Sequence, residues 1–406
     1  MKIRIIGAGP AGLYFAILMK RDDPAHDIVI YERGPRDATW GFGVVFSDRA
    51  LDFLRADDEA MYQLLAAHMQ TWPHLTIVHN DTRIPISGNG FAAIGRLELL
   101  SLLYAEVEKL GVRIEFKRAI ESLAELKRPG GAGQEPLGGA GHESLGSAGQ
   151  GPLGSADLIV VANGAFSSVR QENEQRFGTT CDWRPNKFIW YGTSRVFDSL
   201  SLTFRDTAHG VFCAHHYRYS PGMSTFLVEV EAETWQRADF EHMSPEDTIG
   251  HCERVFAKDL GGHPILSNNS SWRNYPAIWN QRWSFDNVVL VGDALRTAHF
   301  SIGSGTRLAM EDAIALCKAL RETGSVPEAL ARFQELRLPP MKKIWDAAYA
   351  SLRWYERMGE SMQLDPVEFA YSYMTRTGRV DHAEVRRRDP ALAEAYEKLH
   401  PEARAA

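Results

Sequence analysis

Cysteine is scarce. The 406 residues hold four, at Cys181, Cys213, Cys252 and Cys317, and no two of them form a CxxC pair. That excludes a disulfide framework and a zinc-type site, and it fits reduced thiols in a cytoplasmic protein. No other metal-ligand spacing occurs either. An excess of one charge is also lacking. The 45 Lys and Arg against 52 Asp and Glu leave a net charge of −7. No nucleic-acid or anionic-membrane surface is therefore expected. No apolar run has the length that spans a bilayer. The chain opens on a strand-like segment, so no signal peptide is expected. What remains is a chain 44% hydrophobic, long enough for two to three domains with a large core.

The first 33 residues carry the most information. The apolar run Ile3-Arg4-Ile5-Ile6 leads into Gly7-Ala8-Gly9-Pro10-Ala11-Gly12, and a second apolar run, Ile28-Val29-Ile30-Tyr31, ends on Glu32. This is the βαβ dinucleotide fingerprint. Gly7 permits the tight turn, Gly9 lets backbone approach a pyrophosphate, and Gly12 lets helix and strand pack closely. The helix N-terminus offers free N–H groups to phosphates. Glu32 can accept hydrogen bonds from a ribose diol.

Two further strand ends share this character. Val160-Val161-Ala162 runs into Asn163-Gly164, and Val288-Val289-Leu290-Val291 runs into Gly292-Asp293. The latter is followed by His299-Phe300-Ser301-Ile302-Gly303-Ser304-Gly305 and a helical segment from Thr306. Ligands of open α/β sheets sit beyond the carboxyl ends of strands. Asp293 there is an acceptor for a sugar or ribityl hydroxyl, and the glycine turn presents N–H groups to an electron-rich ring edge.

Between these ends the chain changes character. Six of the ten tryptophans fall within residues 180–285, among strand-patterned runs such as Phe188–Tyr191 and Thr225–Val230. The expected fold class is α/β: a split Rossmann-like domain at 1–179 and 288–325, an inserted mixed β-sheet substrate domain at 180–287, and a helical C-terminal region at 326–406. Residues 130–155 repeat an octapeptide (GGAGQEPL, GGAGHESL, GSAGQGPL). So much glycine favours a surface insertion grown by slippage.

These motifs together resemble the class A flavoprotein aromatic monooxygenases of the para-hydroxybenzoate hydroxylase fold. Those share an N-terminal glycine fingerprint, a mid-chain Asp-Gly segment and a late Gly-Asp segment. Here Asn163 stands in place of the aspartate, keeping an acceptor but losing the charge. Asn186–Thr193, Trp40–Val45, Trp272-Arg273-Asn274 and the His299–Thr306 segment are similar to one subgroup. It contains salicylyl-CoA 5-hydroxylases, the flavin domain of anthraniloyl-CoA monooxygenase and the tryptophan hydroxylase of violacein biosynthesis.

The resemblance implies bound FAD and transient NADH or NADPH. It implies hydroxylation of an activated aromatic ring through a flavin C4a-hydroperoxide formed with O₂. FAD contacts would come from Gly7, Gly9, Pro10, Ala11, Gly12, Glu32, Arg33, Gly43, Arg96, Asn163, Asp293, Ile302, Gly303 and Gly305. His299, Phe300 and Ser301 are the catalytic candidates beside the isoalloxazine. Trp190, His215, Tyr217 and Phe226 are the pocket candidates. Neighbouring residues on a strand face opposite ways, so at most one of His215 and His216 meets a ligand.

The leading substrate is an aromatic CoA thioester, salicylyl-CoA to gentisyl-CoA. Arg49, Arg83, Arg205, Arg218 and Lys187 are candidates for its phosphates. A free amine or indole such as tryptophan is the alternative. An NAD-dependent dehydrogenase or a non-catalytic nucleotide-binding module would need only the first motif. The C-terminal helices offer a surface for a homodimer.

Overall fold

A computed structural model describes residues 1–38, 41–47, 51–88, 90–127 and 156–405. The 130–155 repeat, Trp40 and Arg49 lie outside the described residues. The N-terminal strand Lys2–Ile6 is flanked by Asp27–Glu32 and Leu158–Val161, both parallel to it. Val288–Leu290 joins the far side of Leu158–Val161, again parallel, and Arg113–Phe116 joins Asp27–Glu32. The antiparallel Ser284–Phe285 closes one edge of this six-stranded sheet. Its strands are apolar on both faces because both faces are covered. Ile3, Ile5, Ile30, Val160 and Val289 are fully buried. Helices Pro10–Asp22, Arg96–Lys109 and Gly305–Glu322 pack together on the sheet.

Three adjacent parallel strands thus end side by side, as the sequence predicted. Ala162 N donates to Ile6 O at 2.8 Å and Val291 N to Val161 O at 3.0 Å. The three motifs are thereby brought to one edge.

The second sheet is mixed. Its long strands Thr179–Thr193, Met223–Val230, Gly210–Ser220 and Leu200–Thr207 run consecutively antiparallel. Ile265–Ser267 and Arg273–Asn280 both pair with the first of these. The hairpin Leu75–His79 and Thr82–Ile86 completes it, with Leu75–His79 lying parallel to Leu200–Thr207. Residues 75–86, expected within the first nucleotide-binding segment, are therefore strands of the inserted sheet. Their alternation (Leu75, Ile77 and Ile86 inward) gave no hint of a partner more than a hundred residues away.

The two faces of this sheet are buried against different partners. Ile189, Tyr191, Phe212, Phe226 and Val228 pack under the short helices of residues 232–260 and their turns, against Phe240, Cys252 and Phe256. Leu202, Phe204 and Cys213 on the other face pack against Tyr355, Phe369 and Tyr373 of the C-terminal helices. Residues 326–405 are indeed helical, led by Val326–Tyr355, but they form the roof of the second sheet rather than a separate body. A small third sheet, Gly43–Ser47, Phe91–Gly95 and Gln70–Trp72, lies between the two.

Candidate active site

The glycine fingerprint folds as its spacing demands. Gly7 has φ +104°, and a Cβ there would lie 2.6 Å from Ala162 O. A Cβ on Gly12 would lie 2.3 Å from Gly7 O. Both positions therefore exclude any side chain. Gly9 differs: its nearest neighbour to a Cβ would be Ala162 O at 3.9 Å, so protein leaves that space open. Pro10 and Ala11 begin the helix, whose N-cap Gly9 makes no side-chain bond and whose first turn has no acid. Glu32 accepts from Ala8 N at 2.9 Å and Gly34 N at 2.8 Å, strapping the turn to the second strand. Arg33 is exposed beside it.

The other predicted flavin contacts gather near the late motif. Asn163 Oδ1 is buried with no hydrogen-bond partner. Such an orphan costs about 1–3 kcal/mol unless a ligand donor meets it. Gly292 takes φ +61° and turns the chain so that Asp293 is exposed at the strand end. Surrounding protein pushes the Asp293 carboxyl above its ordinary value, while Arg296 and Arg96 oppose that shift. Arg96 starts its helix with its backbone N–H on Phe42 O at 2.8 Å. Burial lowers the pKa of its guanidinium, and Asp293 raises it. Gly303, at φ +58°, ends the Phe300–Ile302 turn, and Gly305 opens the following helix without a side-chain cap.

This set fits FAD. An open glycine approach, uncapped helix amides, a ribose-suited acid, an orphaned amide oxygen and a late Asp on adjacent strand ends are what its two halves require. The turn bearing Asp293 is anchored by residues the sequence did not single out. Asp312, fully buried, accepts from Gly292 N at 3.0 Å and pairs with Arg296 at 2.6 Å and Arg337 at 3.1 Å.

An aromatic cluster surrounds the late glycine turn. Phe300 is half-buried among Phe188 (ring centroids 5.0 Å apart), Trp190 (6.2 Å), His215 (5.4 Å) and His299 (4.0 Å). Tyr275 meets His299 edge-on at 4.9 Å. His299 is buried, with Nδ1 2.8 Å from Ser301 Oγ. Burial pushes its pKa down to about 4 against the pull of Glu229. Glu229 is itself only 1% exposed. Burial alone would raise its pKa, but bonds from His215 (3.2 Å) and Asn186 (3.0 Å), with His299 nearby, hold it below the ordinary carboxylate value. Glu229 was missed. Its one signal was a charge inside the otherwise apolar run Phe226–Val230 of strand Met223–Val230.

Two pocket candidates do not belong to this cluster. Phe226 packs on the opposite face, against His216, Phe197 and Phe256. The pleat places it there: its register partner is Tyr191, the neighbour of Trp190. Tyr217 lies on the site's side of the strand, but it is buried and its hydroxyl donates to Gly43 O at 3.0 Å. With Thr225 Oγ1 accepting from Gly43 N at 2.9 Å, it pins the Gly43 loop to the sheet. Trp190 and His215 do face Phe300, and of the adjacent pair only His215 does so. His216 bonds Thr203 on the far side.

Fold and site together define a flavoprotein oxygenase. The chain belongs to the FAD-binding-domain family, whose model matches residues 1–348. It is 38% identical to salicyloyl-CoA 5-hydroxylase of a Streptomyces species, over 93% of this chain and 70% of that one. It is 34% identical to protodeoxyviolaceinate monooxygenase of Chromobacterium violaceum, over 93% and 94%. It is 32% identical to 3-hydroxy-4-methyl-anthranilyl-[aryl-carrier protein] 5-monooxygenase of Streptosporangium sibiricum, over 88% and 90%. The solved structure of 2-methyl-3-hydroxypyridine-5-carboxylic acid oxygenase shares the fold at TM-score 0.67, with 18% identity and 95% and 98% coverage. The chain is an FAD-dependent aromatic monooxygenase, and the dehydrogenase reading falls away. Among the described residues no helix is long and apolar enough to cross a membrane, and no cluster of potential metal ligands occurs.

Proposed function

We propose that this enzyme hydroxylates an aromatic ring carried as an acyl thioester, with salicylyl-CoA to gentisyl-CoA as the leading reaction. The observation that carries the proposal is the aromatic chamber of Phe188, Trp190 and Phe300 beside the late glycine turn. It suits a flat ring held edge-on or stacked. Two of the relatives above are named for aryl groups borne on CoA or on a carrier protein, which supports the thioester.

FAD, when bound, supplies the electron transfer from NADH or NADPH and the activation of O₂. The chain's own residues do the remainder. Gly7 to Gly12, Glu32, Arg96, Asn163 and Asp293 would hold the dinucleotide. Trp190 and Phe300 orient the ring and exclude water. His299, neutral at pH 7, has no charge to repel or trap a phenolic substrate. Of the cations considered for the carrier phosphates, Arg205 is occupied by Asp259 and Asp81 and Lys187 by Asn274. Arg83 is exposed but lies with Phe197 and His216 on the sheet face away from the chamber, and Arg218 donates to Thr71 O at 3.1 Å, so none of these four cations lies free beside the chamber. A cytoplasmic location accords with the four free cysteines.

Consumption of NADH and of NADPH should be measured with salicylyl-CoA, anthraniloyl-CoA, 4-hydroxybenzoyl-CoA and free tryptophan, with the products identified. Stimulation and ring hydroxylation with a thioester alone is the expected result. Turnover of tryptophan but of no thioester would overturn the proposal.

A further inference from the structure

The His299–Gly303 turn is held from outside the family match. Ser351 and Arg376 lie beyond residue 348, where that match ends. Ser351 is fully buried on helix Val326–Tyr355, and Arg376 follows helix Pro366–Thr375. The chain of contacts is continuous. Arg376 Nε donates to Ser351 Oγ at 2.8 Å, Ser351 Oγ lies 2.8 Å from Ser301 Oγ, and Ser301 Oγ lies 2.8 Å from His299 Nδ1. On the other side of the imidazole, Nε2 faces Glu229 Oε1 at 3.9 Å. Arg376 also reaches the turn's backbone, with Nη2 donating to Ser301 O at 3.2 Å and Nη1 to Tyr373 O at 2.6 Å. Its guanidinium lies 3.7 Å from the Tyr373 ring centroid.

The charged ends give this chain one direction. An arginine can only donate and a carboxylate can only accept. The negative Glu229 favours the imidazole proton on Nε2, which leaves Nδ1 as an acceptor. Ser301 must then donate to His299, Ser351 to Ser301, and Arg376 to Ser351. The groups that face His299 from every side are Glu229, His215 and Arg376, with the rings of Tyr275, Phe300 and Tyr355 around it. Phe300 sits between the two residues so tied. Any slack in the Ser301 bond displaces the ring at the centre of the aromatic chamber.

We infer that Arg376 is a positioning residue, which through Ser351 aims the Ser301 hydroxyl at His299, seats Phe300 and makes the C-terminal helices part of the active site. The inference rests on the reading of Phe300 as a wall of the substrate site. A lysine in place of Arg376 could reach the hydroxyl chain or the Ser301 carbonyl, but it lacks the planar fork that spans both.

The test uses the full-length FAD-loaded enzyme and the variants Ser351→Ala, Arg376→Met and Arg376→Lys. Retained melting behaviour and flavin content are checked first. Nitrogen-15 NMR of the histidine side chains reports the tautomer, with His299 assigned as the resonance missing in His299→Gln. The wild type should carry the proton on Nε2, and Ser351→Ala and Arg376→Met should mix the tautomers. In turnover, Arg376→Met should lower kcat on the order of 10–100-fold, the scale of a small misplacement of a reacting group. KM should move less than about threefold, and Arg376→Lys should restore kcat only in part. A wild-type His299 protonated on Nδ1 would overturn the inference. So would an Arg376→Met or Ser351→Ala enzyme with the wild-type tautomer and kcat. The tautomer is read without substrate. A failure of the thioester assignment would therefore appear as absent turnover in the wild type, with the NMR result unaffected.

Discussion

Trp190 and Phe226 lie on hydrogen-bonded strands of one sheet, yet their rings point to opposite sides of it. Trp190 meets Phe300 in the site, whereas Phe226 stacks with Phe197 and His216 under the short helices. Sequence spacing reveals which residues share a face but not which face meets the ligand. Composition alone therefore placed both in the pocket.

The two positions should respond differently to truncation. Phe226→Ala should cost about 3–5 kcal/mol of stability, the usual penalty for emptying a core aromatic site, while KM for the thioester stays near the wild-type value. Trp190→Ala should leave denaturant stability nearly unchanged and raise KM or uncouple NAD(P)H oxidation from hydroxylation. Parallel urea unfolding and steady-state kinetics decide between these patterns, and a KM effect from Phe226→Ala would place the pocket on the wrong face.

The glycines of the fingerprint separate folding from binding. Gly12→Ala sets a Cβ 2.3 Å from Gly7 O and should destabilise the domain outright. Gly9→Ala meets only Ala162 O at 3.9 Å, so the apoprotein should melt within a degree or two of wild type. Its flavin content should fall sharply, because the added methyl occupies the pyrophosphate's approach. Asp293→Ala should likewise fold and lose FAD. The ratio of absorbance at 450 nm to that at 280 nm after purification measures each outcome.

Acid should weaken the protein through His299. In the unfolded chain this residue titrates near 6.5, whereas in the fold burial holds it down to about 4. Between those values the unfolded state binds a proton that the folded state does not. Stability therefore falls as pH drops through that window, by up to roughly 3 kcal/mol from this residue. His299→Gln should show a flatter dependence of urea-derived stability from pH 6.5 to 4. Equal slopes for the two proteins would mean that His299 is not held neutral.

Much of the nucleotide-binding half was legible because local rules govern it. Gly7, Gly12 and Gly292 are forced by backbone geometry, and the flanking apolar strands by burial on two faces. The surroundings of His299 were less so. Glu229, Asn186, Ser351 and Arg376 meet around His299 from three distant stretches of chain, and apart from the lone charge of Glu229 in an apolar run none has a local pattern that points to this site. The hairpin at 75–86 escaped for the same reason, since a parallel partner across so long a connection leaves no mark in either strand.

That hairpin also bears on how the protein is assembled and how its sequence has been free to change. The pairing of Leu75 with Leu200 closes a large loop that contains the whole 130–155 repeat. Neither the late strand Val288–Leu290 nor the sheet's own antiparallel strands need to exist for the early hairpin to be synthesised, so on the ribosome Leu75–His79 must wait for its neighbour. The entropy of closing so long a loop grows only with the logarithm of its length. Adding residues 130–155 to it costs about 0.2 kcal/mol, too little for selection on stability to oppose. An expanding octapeptide could thus accumulate inside this long closure while the strands on either side kept their register.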